Sequence, residues 1–79
     1  MSTKHTAYEL IQAAAAMADH ARFGGLDEDE QADRISQARF YLTTAREREG
    51  YENFNVQQYL YTVSKRVQQE ADRLGFEDE

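Results

Sequence analysis

The chain has no cysteine, no proline and no tryptophan, and only four of its 79 residues are glycine. Without cysteine there is no disulfide framework, no thiolate nucleophile and no thiolate metal site, and a reducing, cytoplasmic compartment is the expected location. Long apolar runs are also missing: no stretch approaches the roughly eighteen consecutive apolar residues that a membrane-spanning helix needs. The opening "MSTKHTAYELIQ" lacks a basic segment followed by a strongly apolar one, so it is not expected to act as a signal peptide. Positive charge is scarce, with 9 Lys and Arg against 15 Asp and Glu for a net charge of −6. That balance opposes unaided binding to DNA, RNA or anionic lipid, which relies on Lys and Arg neutralising phosphates, and it favours a basic partner.

What is present points to helix. A chain of 79 residues is expected to form one domain, residues 1–79, with a single core that contributes only about 3 to 5 kcal/mol. Eleven of the apolar residues are alanine, which bury little area each but let helix axes approach closely. Abundant Ala, Gln, Glu and Arg favour helix, and the glycines at 24, 25, 50 and 75 read as stops. Each helix also has a start signal. Thr6 with Glu9 has capping-box spacing, and Asp27 with Glu30 and Asn55 with Gln58 repeat it with looser residue types. These starts and stops predict helices near 7–23, 28–49 and 56–74.

Apolar periodicity agrees with those boundaries. Ala7, Leu10, Ile11, Ala14, Met17, Ala18 and Ala21 form one stripe at helical spacing; Ala32, Ile35, Ala38, Tyr41, Leu42 and Ala45 form a second. Val56, Leu60, Val63, Val67, Ala71 and Leu74 form the third, and Phe76 after Gly75 is placed to fold back as the apolar part of a helix-ending motif. Rods of roughly 25 to 33 Å joined by short connections favour antiparallel neighbours. The expected fold is therefore all-α, an antiparallel up-down-up three-helix bundle. A homodimer that merges two thin cores is the alternative assembly. Residues 75–79 are expected to form a frayed acidic tail.

The most unusual stretch is "GGLDEDEQADR", which places five carboxylates among the seven positions Asp27 to Asp33. Part of it has a local explanation: Asp27 caps the helix, and Glu28, Asp29 and Glu30 sit where the macrodipole favours negative charge by about 0.3–1 kcal/mol each. Glu30 and Arg34 are a favourable pair at four-residue spacing, whereas Asp29 and Asp33 are an unfavourable one. In an up-down-up bundle the end of the first helix, the start of the second and the end of the third share one pole. That pole would gather Asp19, Asp27, Glu28, Asp29, Glu30, Asp33, Glu70, Asp72, Glu77, Asp78 and Glu79 against Arg22, Arg34 and Arg73. Lys4, Arg39, Arg46, Arg48, Lys65 and Arg66 fall toward the other pole. Acidic helix ends commonly serve only solubility. The functional expectation is that Asp27, Glu28, Asp29, Glu30, Asp33, Glu77, Asp78 and Glu79 dock on a basic, nucleic-acid-binding protein surface, with carboxylates standing where phosphates would lie.

Other constellations carry less. "DEDEQADR" resembles a calcium loop, but Ala32 stands where the sharp turn needs glycine. His20 beside Asp19 lacks a second histidine at ligand spacing, so no metal or cofactor is expected. No nucleophile, base and orienting residue fall together, and no enzymatic activity is expected. Phe40 and Tyr61 lie off their stripes and Tyr8 flanks the first one; these three form a second candidate interface, for a partner or a second copy. A helix-turn-helix DNA-binding regulator is a further alternative, opposed by the overall negative field. No motif is specific enough to transfer residue roles from a family. In size, acidity and helicity the chain resembles small phage-encoded proteins that inhibit host defence complexes, which would imply a non-enzymatic inhibitor or adaptor. The competing expectation is a structural subunit or homodimeric module that binds through its Ala-rich and aromatic faces.

Overall fold

A computed structural model describes residues 5–76. Three helices, α1 (Ala7–Phe23), α2 (Glu28–Ala45) and α3 (Phe54–Leu74), pack pairwise around one core to give an all-α three-helix bundle of 36 × 26 × 22 Å. The chain reverses twice. The end of α3 hydrogen-bonds the start of α2 through Arg73 and Gln31, and the rings of Tyr8 and Tyr59 meet near the starts of α1 and α3. No helix among the described residues is long and apolar enough to cross a membrane.

The stripes read from the sequence form the core. Six of the seven α1 positions are buried and Met17 packs at the edge. Ile35, Ala38, Leu42 and Ala45 of α2 and Leu60, Val63, Val67 and Ala71 of α3 complete it, while Tyr41, Val56 and Leu74 cover its margins. Half of the fourteen buried apolar residues are alanine, so the core is held by close approach of backbones more than by large side chains. Only Ile11, Ile35 and Val67 bury substantial side chains completely.

Two boundaries differ from expectation. α2 ends at Ala45, not near 49, and α3 begins at Phe54, with Asn53 rather than Asn55 as its cap. The Asn53 side chain accepts from the amides of Asn55 and Val56 at 2.8 and 3.3 Å. Residues 46–53 leave the α-helical ladder through tight turns, the Glu47 and Arg48 amides donating to the Thr44 and Ala45 carbonyls. The cause is tertiary: this path brings the Glu49 carbonyl to 2.9 Å from the Ala7 amide, satisfying one of the orphan donors at the start of α1, and seats Tyr51 against the core.

The other caps form as their residues predict. Thr6 and Glu9 make a reciprocal box, and the Thr6 amide holds the Glu9 carboxyl below its ordinary range, against slight desolvation and with help from His5. α3 stops at Gly75, whose φ of 83° suits glycine, and the Phe76 amide reaches back to the Ala71 carbonyl at 2.9 Å while its ring packs on the core. Gly75 and Phe76 thus belong to the helix-ending motif. Of the expected tail, Glu77, Asp78 and Glu79 lie outside the described residues.

Candidate functional site

The acidic pole is assembled by a linked set of side chains from all three helices. Glu70, 4 % exposed, accepts from Arg22 of α1 at 2.9 Å and from Arg73 of α3 at 2.6 and 2.9 Å. Arg73 also donates to Gln31 of α2 at 2.9 Å, and Gln31 in turn donates to the Leu26 carbonyl at 2.8 Å. Burial alone would raise the Glu70 carboxyl, but the hydrogen bonds from Arg73 and Arg22 outweigh it and hold the group below the usual carboxylate range. Glu70 ties the end of α1 to the end of α3, and Arg73 extends the link to the start of α2.

That linkage changes the charge picture drawn from the sequence. Glu70 is neutralised by two arginines and is not part of an outward-facing field. Asp19 pairs with Arg66, which the sequence placed toward the opposite pole, so the boundary between the poles is less sharp than expected. Asp72 accepts from Gln68 at 2.9 Å.

The five carboxylates of the run itself are all exposed. Asp27 Oδ1 accepts the Glu30 amide at 2.8 Å, and Glu30 Oε1 accepts the Asp27 amide at 3.4 Å, so both serve the cap. Asp33 lies 3.2 Å from the Arg34 guanidinium. Arg34 therefore pairs with its neighbour, where the sequence suggested Glu30, and its Nε donates to His20 Nδ1 at 3.3 Å. Glu28 and Asp29 have no hydrogen-bond or ion-pair partner among the described residues. Local structure thus uses three of the five charges and leaves two facing solvent.

Ahead of them in the chain, at the end of α1, is a residue that sequence reasoning passed over. Phe23, the last residue of α1, is 74 % exposed, the highest among the large apolar side chains, with the Arg22 guanidinium 5.6 Å from its ring centroid. The signal was available: Phe23 lies off the α1 stripe and directly precedes the paired glycines. The Gly24 amide closes the helix on the His20 carbonyl at 2.9 Å, and Gly25 takes the left-handed turn at φ 71° that leads to Asp27. Four residues, 24–27, connect Phe23 to the first residue of α2.

The second candidate interface is dispersed. Tyr8 is 49 % exposed and stacks on Tyr59 at 5.5 Å; Phe40, 66 % exposed, contacts only Tyr41; Tyr61, 60 % exposed, lies under Lys65. No ring contact joins Phe40, Tyr8 and Tyr61 among the described residues. Phe54 and Tyr61, seven residues apart, do share one exposed face of α3. Among the described residues no three His, Cys, Asp or Glu side chains converge as a metal site. No protein-family model, curated protein or solved structure matches this chain.

Proposed function

We propose that this chain is a non-enzymatic binding protein, an inhibitor or adaptor of the phage anti-defence kind, which docks its carboxylate-rich pole on a basic, nucleic-acid-binding surface of a partner protein. The observation that carries the reading is the exposed, unpartnered pair Glu28 and Asp29 at the start of α2, with the exposed ring of Phe23 at the end of α1 across a four-residue connection. An aromatic anchor beside uncompensated charge combines the two ingredients of a docking patch: apolar area that gains from burial, and a field that speeds encounter with a positive surface. Asp33 borders the same patch, and Glu77, Asp78 and Glu79 are proposed to extend it. A second reading, a helical module that self-associates or joins a larger assembly, draws on the shared face of Phe54 and Tyr61. The DNA-binding alternative is less well supported, because residues 46–53 form a longer connection than a helix-turn-helix uses.

The test begins with capture of the partner from the native host by affinity pull-down and mass spectrometry. Affinity for that partner is then measured by titration calorimetry across ionic strength. Weakening with salt, together with about tenfold weaker binding for Phe23→Ala and for the double variant Asp29→Asn, Asp33→Asn, supports the docking patch. Salt-independent binding that the double variant leaves unchanged rejects it.

A further inference from the structure

A groove of about 240 Å³ lies between α2 and α3, lined by Arg39, Leu42, Thr43, Arg46, Ser64, Val67 and Gln68. Its composition runs against the rest of the molecule. Among the described residues no carboxylate lines this groove, yet it holds two arginines. Among the described residues, Arg22 and Arg73 share Glu70, Arg34 pairs with Asp33 and Arg66 with Asp19. Arg39, Arg46 and Arg48 have no carboxylate partner among the described residues, and the first two line the groove. Arg39 is half-buried, with one amino group 3.4 Å from Gln68 Oε1 and its guanidinium 5.2 Å from the Phe76 ring, which leaves most of its five donors unspent. The Arg46 side chain makes no hydrogen bond at all among the described residues. The hydroxyls of Thr43 and Ser64 line the same space, and buried Leu42 and Val67 supply an apolar wall.

We infer that this groove binds a phosphate monoester carried on a small apolar body. Two guanidiniums with free N–H donors match a doubly charged oxyanion better than a singly charged carboxylate, because planar guanidinium forks bond phosphate oxygens in pairs. Hydroxyls are suited to the remaining oxygens. Leu42 and Val67 offer the ester's carbon portion a surface that inorganic phosphate could not use. The volume falls just under the roughly 300–1,000 Å³ typical of small-molecule pockets, which suits a phosphate and a single ring. The site stands apart from the proposed docking patch and does not depend on it.

Titration of the isotopically labelled full chain by NMR, with phenyl phosphate, inorganic phosphate and phenol at constant ionic strength, tests the inference. Phenyl phosphate is expected to give saturable shifts centred on Thr43, Arg46 and Ser64, with several-fold higher affinity than inorganic phosphate and no comparable response to phenol. Arg46→Gln removes a side chain without structural partners, so it should keep the wild-type melting profile and bind at least about tenfold more weakly. Arg39→Lys, which keeps the charge and loses the fork, should also bind more weakly while remaining folded. Shifts that fail to saturate, equal affinity for phenyl phosphate and inorganic phosphate, or unchanged binding by Arg46→Gln would each overturn it.

Discussion

Glu70 joins α1 to α3, and its partner Arg73 carries the link on to α2. A buried carboxylate without partners would be costly, but Arg22 and Arg73 approach it from two sides and remain half in water. The interaction therefore lies between an exposed pair, worth about 0–1 kcal/mol, and a fully buried pair, whose disruption costs about 3–5 kcal/mol. Glu70→Gln is expected to lower stability by about 1–2 kcal/mol, read from urea unfolding. Its folded-state pKa lies below the unfolded value, so its contribution is complete above the unfolded value and is lost as pH falls through the folded one. Stability should accordingly decline as pH drops through and below the carboxylate range, and the decline should be shallower in Glu70→Gln. An identical pH profile for both proteins would assign the acid sensitivity to other groups. Gly24 is constrained differently: its φ of −86° is open to any residue, but an added Cβ would collide with the ring and carbonyl of His20. Gly24→Ala is expected to cost about 1–3 kcal/mol by overpacking, since a swing of the His20 ring would relieve only the side-chain clash and not the one with its carbonyl; an unchanged melting profile would mean that the backbone shifts freely.

At the scale of the element, caps explain where helices begin, and one cap was displaced by its surroundings. Asn53 and Asn55 are both competent N-cap residues. The earlier one is used because the connection from α2 must dip to place the Glu49 carbonyl against Ala7 and Tyr51 against the core. Asn53→Ala should lose about 1 kcal/mol of stability, whereas Asn55→Ala should stay within about 0.5 kcal/mol of the parent in the same thermal melts. Equal losses would mean that the two asparagines share the capping role. The start of α2 separates structure from surplus charge in the same way. Asp27→Ala removes a box-forming cap and should cost about 1 kcal/mol, while Asp29→Asn relieves a like-charge spacing with Asp33 and should leave stability equal or slightly raised.

For the whole molecule, the arginine–glutamate linkage closes one pole and a thin, alanine-rich core holds the shaft. Small cores invite help from a second copy, and the exposed Phe54 and Tyr61 face is where α3 presents unburied aromatic area. If the chain self-associates through that face, sedimentation at micromolar concentration will show a dimer that Tyr61→Ser reduces to monomer. A single monomeric species across that range removes the homodimer. Long-range charge belongs to this scale too: if the chain docks on a basic surface as proposed, a net charge of −6 would speed that encounter and the effect would be screened by salt.

The helices, their apolar faces and most of their ends were legible in local chemistry. The three stripes at helical spacing, the Thr6 and Asp27 boxes and the Gly75 stop each involve residues within a few positions of one another, so sequence distance and spatial distance coincide. The α2–α3 connection was not, because "REREG" has good helical propensity and only the distant demand of the Ala7 amide pulls it off the ladder. The acidic run itself could be read directly, but its surplus charge was only half legible: Asp29 is unpartnered as its spacing suggested, whereas Asp33 pairs with Arg34 and Glu28 is left unpartnered instead. Its electrostatic setting could not: the pairing of Glu70 with Arg22, the pairing of Asp19 with Arg66 and the meeting of Arg39 and Arg46 with Ser64 in one groove join residues far apart in the chain. Sequence alone determined which segments become helices and which faces turn inward, since those follow from short-range periodicity and capping. Tertiary structure decided which charges cancel and which remain, because the strength of an ion pair depends on through-space distance and burial that no local pattern contains.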